Sequence, residues 1–179
     1  MVYVMLAEGF EEVEALAPVD MLRRAGANVV MVGVTGEAVR GAHGIVVAAD
    51  ITADQMNMAG AEMLVLPGGM PGTLNLEKSE YVQAALEYCY ENRIHIAAIC
   101  AAPSILGHRG YLRGRYATCF PGYESELNCR KVSDRPVVTD NGITTAKSAG
   151  HAVNFGCELV NVLMGPEKAT AISDAVYQP

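Results

Sequence analysis

The chain has 179 residues, of which 51% are hydrophobic, and its formal net charge is −7 at pH 7. This length predicts one domain over residues 1–179, and the apolar content excludes a disordered chain. The acidic balance offers no basic surface for nucleic acid, and no apolar run is long enough to span a membrane, so we expect neither partner.

The N-terminal residues and the cysteines bear on the cellular compartment. Residues 1–4 have no basic segment before their apolar run, which is unlike a signal peptide, so we expect a cytoplasmic protein. The cysteines are dispersed and form no C-x-x-C pair: Cys89, Cys100, Cys119, Cys129 and Cys157. This pattern predicts free thiols rather than a disulfide framework, and it gives no support to a metal site.

Short apolar runs alternate with helical patterns along the chain. Strands are predicted at residues 2–7, 29–34, 45–49, 63–66, 94–99, 116–119, 136–139 and 143–146. Helices are predicted at residues 11–24, 51–58, after Ser79, at 102–107 and at 153–164, with a short helix closing the chain. This alternation predicts a three-layer α/β/α sandwich around a mainly parallel sheet.

Local features refine this prediction. Pro18 lies inside the first helical pattern, so we expect a kink or an irregularity there. Residues 40–50 are expected to form a small hairpin beside the main sheet, and Asn141-Gly142 predicts a tight hairpin. The final long helix is so apolar that it should be covered, either in the core or by a second subunit.

The segment from His95 to Ser104 is the most informative stretch of the chain. A short apolar strand ends at Cys100, and small residues with Pro103 begin a helix directly after it. This is the pattern of a nucleophile elbow, in which a sharp strand-to-helix turn exposes the side chain. We expect the helix N-terminus to lower the pKa of the thiol. On position alone, a reactive thiolate and a buried, inert cysteine both remain open.

Further candidate residues follow neighbouring strands of the predicted sheet. Ligands of an open parallel sheet bind beyond the carboxyl ends of its strands. Glu14 comes shortly after the first strand, Gly68 and Gly69 follow the strand at 63–66, and His151 follows the last strand. We therefore expect these residues to converge on Cys100, which favours a functional role for its thiol.

Glu14 is the acid with the clearest predicted role. It shares a helical stripe with Ala17 and Met21, so its side chain should face inward. A buried carboxyl tends to stay protonated, and it could then donate a hydrogen bond to a thiolate or to its oxidised form. The alternative is that Glu14, like Glu11 and Glu12, merely complements the positive end of the helix.

The glycines and histidines offer the remaining candidates. The amide of Gly68 or Gly69, with that of Ala101, could form an oxyanion hole, although an ordinary glycine-rich turn has the same sequence. His151 begins a helix at a strand end, so we predict it as an acid–base partner of the thiol. The other histidines are predicted to be structural, solvated or part of the hairpin excursion: His95, His108 and His43, respectively.

Three segments of the chain together resemble one protein family. They are AEGFEEVE at residues 7–14, followed by Pro18-Val19-Asp20, LVLPGG at residues 64–69 and AAICAAP at residues 97–103. These segments are similar to those of the ThiJ/PfpI superfamily and, within it, to the subfamily of the parkinsonism-associated protein and its bacterial relatives. The resemblance extends along nearly the whole chain.

The resemblance implies a flavodoxin-like fold and a homodimer. Cys100 would be the family's oxidation-prone nucleophile, Glu14 its carboxyl partner, and Gly69 and Ala101 the donors of backbone amides. The activities attributed to the family are glutathione-independent glyoxalase, protein deglycase, redox-regulated chaperone and sensor of oxidative stress. We expect no dissociable cofactor, because this chemistry requires none.

The chain departs from the family pattern at several positions. Phe120 stands where several members carry a histidine, so a cysteine–histidine pair is absent there. Ala101 follows the nucleophile where the protease branch has a histidine, which argues against a protease. His43 falls where relatives often have an arginine near the pocket, and His151 lies in a segment that differs from the usual Gly-Pro-Gly-Thr-like sequence.

Two hypotheses on function follow. In the first, a glyoxalase or deglycase acts on small 2-oxoaldehydes or their protein adducts, with Cys100 as the nucleophile and Glu14 moving the proton. In the second, the protein is a redox sensor or chaperone whose Cys100 is oxidised to sulfinic acid. Phe120 keeps open a third possibility, a fold relative without chemistry.

Overall fold

The structure is a computed structural model that describes residues 1–177. The strands are β1 (Val2–Leu6), β2 (Val29–Gly33), β3 (Ala38–Arg40), β4 (Val46–Ala48), β5 (Ile51–Thr52), β6 (Met63–Leu66), β7 (His95–Ile99), β8 (Tyr116–Ala117), β9 (Lys131–Val132), β10 (Val137–Asp140) and β11 (Ile143–Ala146). The α-helices are α1 (Glu12–Ala25), α2 (Gly72–Lys78), α3 (Glu80–Glu91), α4 (Pro103–His108), α5 (Ala152–Met164) and α6 (Pro166–Ala175). Within the described residues, no helix combines the length and the apolar character that a membrane span requires.

The main sheet has seven strands in the order β10-β11-β7-β6-β1-β2-β5. Its neighbouring strands are parallel, except that the edge strand β10 runs antiparallel to β11. Every residue of β1 and β6 is buried, as is usual where helices cover both faces of a parallel sheet. The predicted, mainly parallel sheet is confirmed, and the carboxyl ends of β1, β6 and β7 lie side by side.

Helices cover both faces of this sheet. Tyr3 and Met5 of β1 belong to the same apolar cluster as residues of α3 and α4, whereas Val4 and Leu6 belong to the cluster that contains residues of α1 and α5. Each large apolar side chain that is fully buried in these layers contributes roughly 1.5–3 kcal/mol to stability. The predicted three-layer, flavodoxin-like α/β/α sandwich is confirmed.

Helix α5 is covered by α1, by α6 and by the sheet. At the crossing of α1 and α5, a Cβ on Gly156 would lie only 2.9 Å from the Cα of Pro18. A glycine is therefore required at this close approach. Pro18 does not interrupt α1, which continues from Glu12 to Ala25, so the expected irregularity does not end the helix.

Both predicted hairpins are present beside the main sheet. β3 and β4 form a separate two-stranded antiparallel sheet, which carries His43 in its connection. Asn141 and Gly142 join β10 to β11 with φ angles of 45° and 83°, as a tight two-residue turn requires. The β3–β4 hairpin is important for the site, because it brings His43 into contact with Glu12 of α1.

Two stretches differ from the sequence-based expectation. The prediction of a helix at residues 51–58 is wrong. Ile51 pairs with Val32 at the edge of the sheet, and two short 3-10 helices follow, at Ala53–Gln55 and Met58–Gly60. The strand expected at residues 116–119 is limited to β8, which pairs with β9. Pairing with distant strands thus decided the structure in both stretches, at the edge of the main sheet for Ile51 and in a separate two-stranded sheet for β8.

Candidate active site

Cys100 occupies a sharp turn between β7 and α4. Its φ angle is 65°, in the left-handed region that residues other than glycine rarely adopt. The Cys100 N–H donates to the carbonyl of Ala146 at 2.9 Å, and the Cys100 carbonyl accepts from the N–H of Phe120 at 2.8 Å. These two bonds hold the strained residue between the neighbouring strand and the next loop, as in a nucleophile elbow.

Glu14 lies in the first turn of α1, and its side chain is buried beside Cys100. Its carboxylate accepts the N–H of Gly68 at 3.0 Å, and the neighbouring Cys100 thiol and Ala149 N–H act to lower its pKa. Burial raises the pKa of Glu14 to about 7, although the bonds from Cys100 and Gly68 act in the opposite direction. A carboxyl group with this pKa can both accept and donate a proton near neutral pH.

Gly68 and Gly69 allow the nucleophile and the acid to meet. A Cβ on Gly68 would lie 2.6 Å from the Glu14 carboxylate and 2.7 Å from the Cβ of Cys100. Gly69 has a φ angle of 91°, and a Cβ there would lie 2.3 Å from the backbone nitrogen of Glu11. Both glycines are therefore required for close packing, because a side chain at either position would collide with neighbouring atoms.

The electrostatic environment keeps the thiol protonated while Glu14 is ionised. Burial, followed by the negative charge of Glu14, raises the pKa of Cys100 to about 12, whereas the amides of Ala101 and Gly69 act to lower it. The Ala101 amide at the turn into α4 lowers the pKa, as the sequence predicted, but burial and the charge of Glu14 outweigh it, so the net shift is upward. When Glu14 is protonated, the repulsion disappears and the same amides face a sulfur that can carry the charge.

Cys100 and Glu14 open onto a cavity of about 480 Å³. Aromatic and apolar side chains form much of its wall, including Met70, Phe120 and Tyr123. Its other lining residues are Glu11, His43, Gly69, Ala101, Ser148, Ala149 and Gly150. A larger cavity of about 630 Å³, between Gly114 and Asp140, contains neither a cysteine nor a histidine. We therefore place the chemistry at the smaller cavity.

His43 reaches this cavity from the β3–β4 hairpin. Its Nδ1 lies 3.1 Å from a carboxylate oxygen of Glu12 and 3.3 Å from one of Glu11. The Glu12 carboxylate also accepts the N–H groups of His43 and Ile45, at 2.9 and 3.3 Å. The hydrogen bond to Glu12 is the largest of the effects that raise the pKa of His43.

Among the described residues, Glu11, Glu12 and His43 form the group that could hold a metal ion. One ligand atom from each of Glu11, Glu12 and His43 lies within 4.8 Å of the others. The sequence did not reveal this cluster, because His43 is 31 residues from Glu12 and reaches it only through the folded hairpin. Glu12 already accepts two backbone hydrogen bonds, so the simpler role of the cluster is to orient His43.

The structure brings together most, but not all, of the residues that the sequence singled out. Phe120 lines the cavity with 43% of its surface exposed, whereas His151 is absent from the cavity wall and is the N-cap residue before α5. His95 contacts Thr144 at 2.8 Å, and burial lowers its pKa to about 4. Tyr123, which also lines the cavity, was not predicted, because no sequence motif surrounds it.

We predict that Glu14→Gln stabilises the fold in alkaline solution. Between pH 4.5 and 7, folded Glu14 retains a proton that the unfolded chain has lost, so the free energy of unfolding falls as the pH rises. Glutamine carries no charge and keeps an acceptor for the Gly68 N–H. The variant should therefore be more stable above pH 7, by on the order of 2–3 kcal/mol, and lose this advantage below pH 4.5.

Urea unfolding of both proteins at pH 4, 6 and 8 measures this difference. Glu91→Gln is the matched control, because Glu91 is an exposed carboxylate at the end of α3. A difference between Glu14→Gln and wild type that does not change with pH would contradict the raised pKa of Glu14.

Comparison with known proteins shows the family of the chain. A family model described as the DJ-1/PfpI family matches residues 1–162. The chain is 34% identical to Protein dj-1beta of Drosophila melanogaster, covering 95% of this chain and 92% of that protein. It is 30% identical to a protein named a deglycase in Pyrococcus abyssi, covering 90% and 98%. The solved structure of oxidized Toxoplasma gondii DJ-1 superposes with a TM-score of 0.94 at 32% identity, covering 98% and 97%. The chain belongs to the DJ-1/PfpI family.

Proposed function

We propose that the protein uses Cys100 to convert small 2-oxoaldehydes into 2-hydroxy acids, a chemistry of the glyoxalase and deglycase type. The observation that carries this proposal is the position of the buried Glu14 carboxyl group beside Cys100, with both residues lining the same cavity. This contact places a base with a pKa of about 7 directly on the nucleophile. The deglycase name of the Pyrococcus relative supports the same class of chemistry.

The first step forms a hemithioacetal. The sulfur of Cys100 attacks the aldehyde carbon of methylglyoxal, a sulfur–carbon bond forms, and the carbonyl electron pair moves to the oxygen. Glu14 accepts the thiol proton during the attack, so that no resting thiolate is required. The amides of Gly69 and Ala101, which face the sulfur, stabilise negative charge beside it. The proton returns to the oxygen, and Glu14 is again ionised.

The second step is an internal oxidation and reduction. Glu14 removes the hydrogen from C1 of the hemithioacetal and returns a proton to C2 through an enediol. C1 is thereby oxidised to a thioester, and C2 is reduced to an alcohol. Water then hydrolyses the thioester, which releases lactate and restores the thiol. The overall reaction adds one water to methylglyoxal and needs no external oxidant or reductant.

We predict that the wild-type protein forms lactate from methylglyoxal and that Cys100→Ser abolishes this activity. Glu14→Gln should lower kcat by about 10²–10⁴-fold, because the variant retains the acceptor for Gly68 but not the base. Lactate is measured by an enzymatic endpoint assay after removal of the protein. Cys157→Ser is the control, because Cys157 lies on α5 outside the cavity. Lactate formation that is unchanged in Cys100→Ser would refute the proposed nucleophile.

A second candidate function is redox sensing by the same thiol. The specific observation is that a partly exposed sulfur faces two backbone amides and a carboxyl group that can donate a hydrogen bond when protonated. Two successive reactions with hydrogen peroxide would each transfer one oxygen to the sulfur and release one water, giving a sulfinate. The amides of Gly69 and Ala101 and a protonated Glu14 would then stabilise the new anion.

We predict that dilute peroxide adds two oxygen atoms to Cys100 before it modifies the other cysteines. Cys89 and Cys119 should react last, because both are buried in the core. Intact mass and peptide mapping of wild type and Cys100→Ser test this order. Oxidation that begins at Cys129 or Cys157, with Cys100 unmodified, would exclude the sensor function.

A further inference from the structure

The proposed reaction needs proton transfers at two oxygens as well as at two carbons. Glu14 can serve the carbons, but it cannot at the same moment protonate the ketone oxygen of the substrate. A histidine at the position of Phe120 is absent, and His151 does not line the cavity. Among the described residues, the histidine that lines the cavity is His43, which lies in the β3–β4 hairpin.

We propose that His43, oriented by Glu12, is the acid–base residue that serves the two substrate oxygens, an inference that rests on the proposed function. As Glu14 removes the C1 hydrogen, the Nε2–H of His43 protonates the ketone oxygen, and a neutral enediol forms. As Glu14 returns a proton to C2, His43 takes one from the hydroxyl on C1. The C1 carbonyl forms again, and both residues regain their initial protonation states.

The contacts of His43 support this role. Nδ1 is held by Glu12 at 3.1 Å and by Glu11 at 3.3 Å, so Nε2 is the ring nitrogen left for a substrate. Carboxylate–imidazole pairs of this kind fix the tautomer and the orientation of a catalytic histidine. The His43 side chain is 69% exposed and lines the cavity.

The Glu12 side chain is held in place beside this imidazole. Its side chain is only 5% exposed, and its carboxylate accepts the backbone N–H groups of His43 and Ile45. A Cβ on Gly41 would lie 2.3 Å from the Glu12 carboxylate, so a glycine leaves the space that the pair occupies. An ion pair between two exposed side chains without such additional contacts would separate easily.

The charges around the pair favour an imidazolium in the resting state. Glu11 and Glu12 on α1 face His43 directly, Glu14 lies across the cavity, and Arg40 of the same hairpin bonds instead to the carbonyl of Gly44. Burial alone would raise the pKa of Glu12, but its hydrogen bonds lower it overall, and the same contact raises the pKa of His43. The short contacts of Nδ1 with Glu11 and Glu12 thus favour the charged form of the ring, which donates from Nε2.

The test compares the wild-type protein with His43→Gln, His43→Ala and Glu12→Gln in steady-state lactate formation from methylglyoxal between pH 5 and 9. We expect His43→Gln to lower kcat by about 10²-fold or more with little change in KM. Glu12→Gln should shift the alkaline limb of the pH profile to lower pH, because the imidazolium loses its carboxylate. Added imidazole should restore part of the kcat of His43→Ala, which a purely structural role of His43 would not allow.

His108→Gln is the matched control, because His108 contacts Glu77 and Glu126 away from the cavity and should leave kcat unchanged. Lactate formation by His43→Gln with the wild-type kcat and pH profile would overturn this assignment alone. Absence of lactate with wild type would overturn the proposed function and this assignment with it. Loss of wild-type activity after dialysis against EDTA, with recovery on addition of zinc, would show that Glu11, Glu12 and His43 hold a metal and would also overturn it.

Discussion

The contact between the Cys100 thiol and the buried Glu14 carboxyl group is the interaction on which the site depends. It requires β7 to end in a strained cysteine, α1 to bury an acid in its first turn and Gly68 to leave no side chain between them. Each requirement is met by a different element at the same edge of the parallel sheet. The fold therefore serves mainly to bring two groups together that would otherwise avoid a common apolar environment.

Burial raises the pKa of both members of this pair, with different chemical consequences. It raises the pKa of Glu14 into the neutral range, where the carboxyl can exchange a proton, and it makes a resting thiolate unfavourable beside an ionised acid. The same geometry can serve nucleophilic attack and oxidation, because both begin when the proton leaves the sulfur for Glu14 or for solvent. The His43–Glu12 pair is different, because it joins a basic ring to a carboxylate. Its Nδ1 lies 3.1 Å from the Glu12 carboxylate, and the His43 side chain is 69% exposed.

The sequence allowed much of the fold and the centre of the site to be predicted. Continuous apolar runs mark β1, β6 and β7, because parallel strands are buried on both faces. The stripe of Glu14 with Ala17 and Met21 indicated that an acid would face inward, and the structure places Glu14 against Cys100.

Other features depended on distances that only the folded chain defines. The edge pairing of Ile51 with Val32, the gap that Gly68 leaves and the reach of His43 to Glu12 have no local sequence signal. The direction of the thiol pKa could not be predicted either, because it depends on burial and on the charge of Glu14 more than on the helix that follows. Helix placement alone favoured a lowered pKa.

The central claim is tested most directly by the titration of Glu14 itself. The carboxyl carbon of Glu14, assigned in ¹³C-labelled protein by its absence from the Glu14→Gln spectrum, can be followed by NMR from pH 3 to pH 9. We expect its midpoint near pH 7, together with a chemical-shift change at Cys100 over the same range. A midpoint near 4.5, the ordinary value for a glutamate, would contradict a buried acid that exchanges its proton with the thiol.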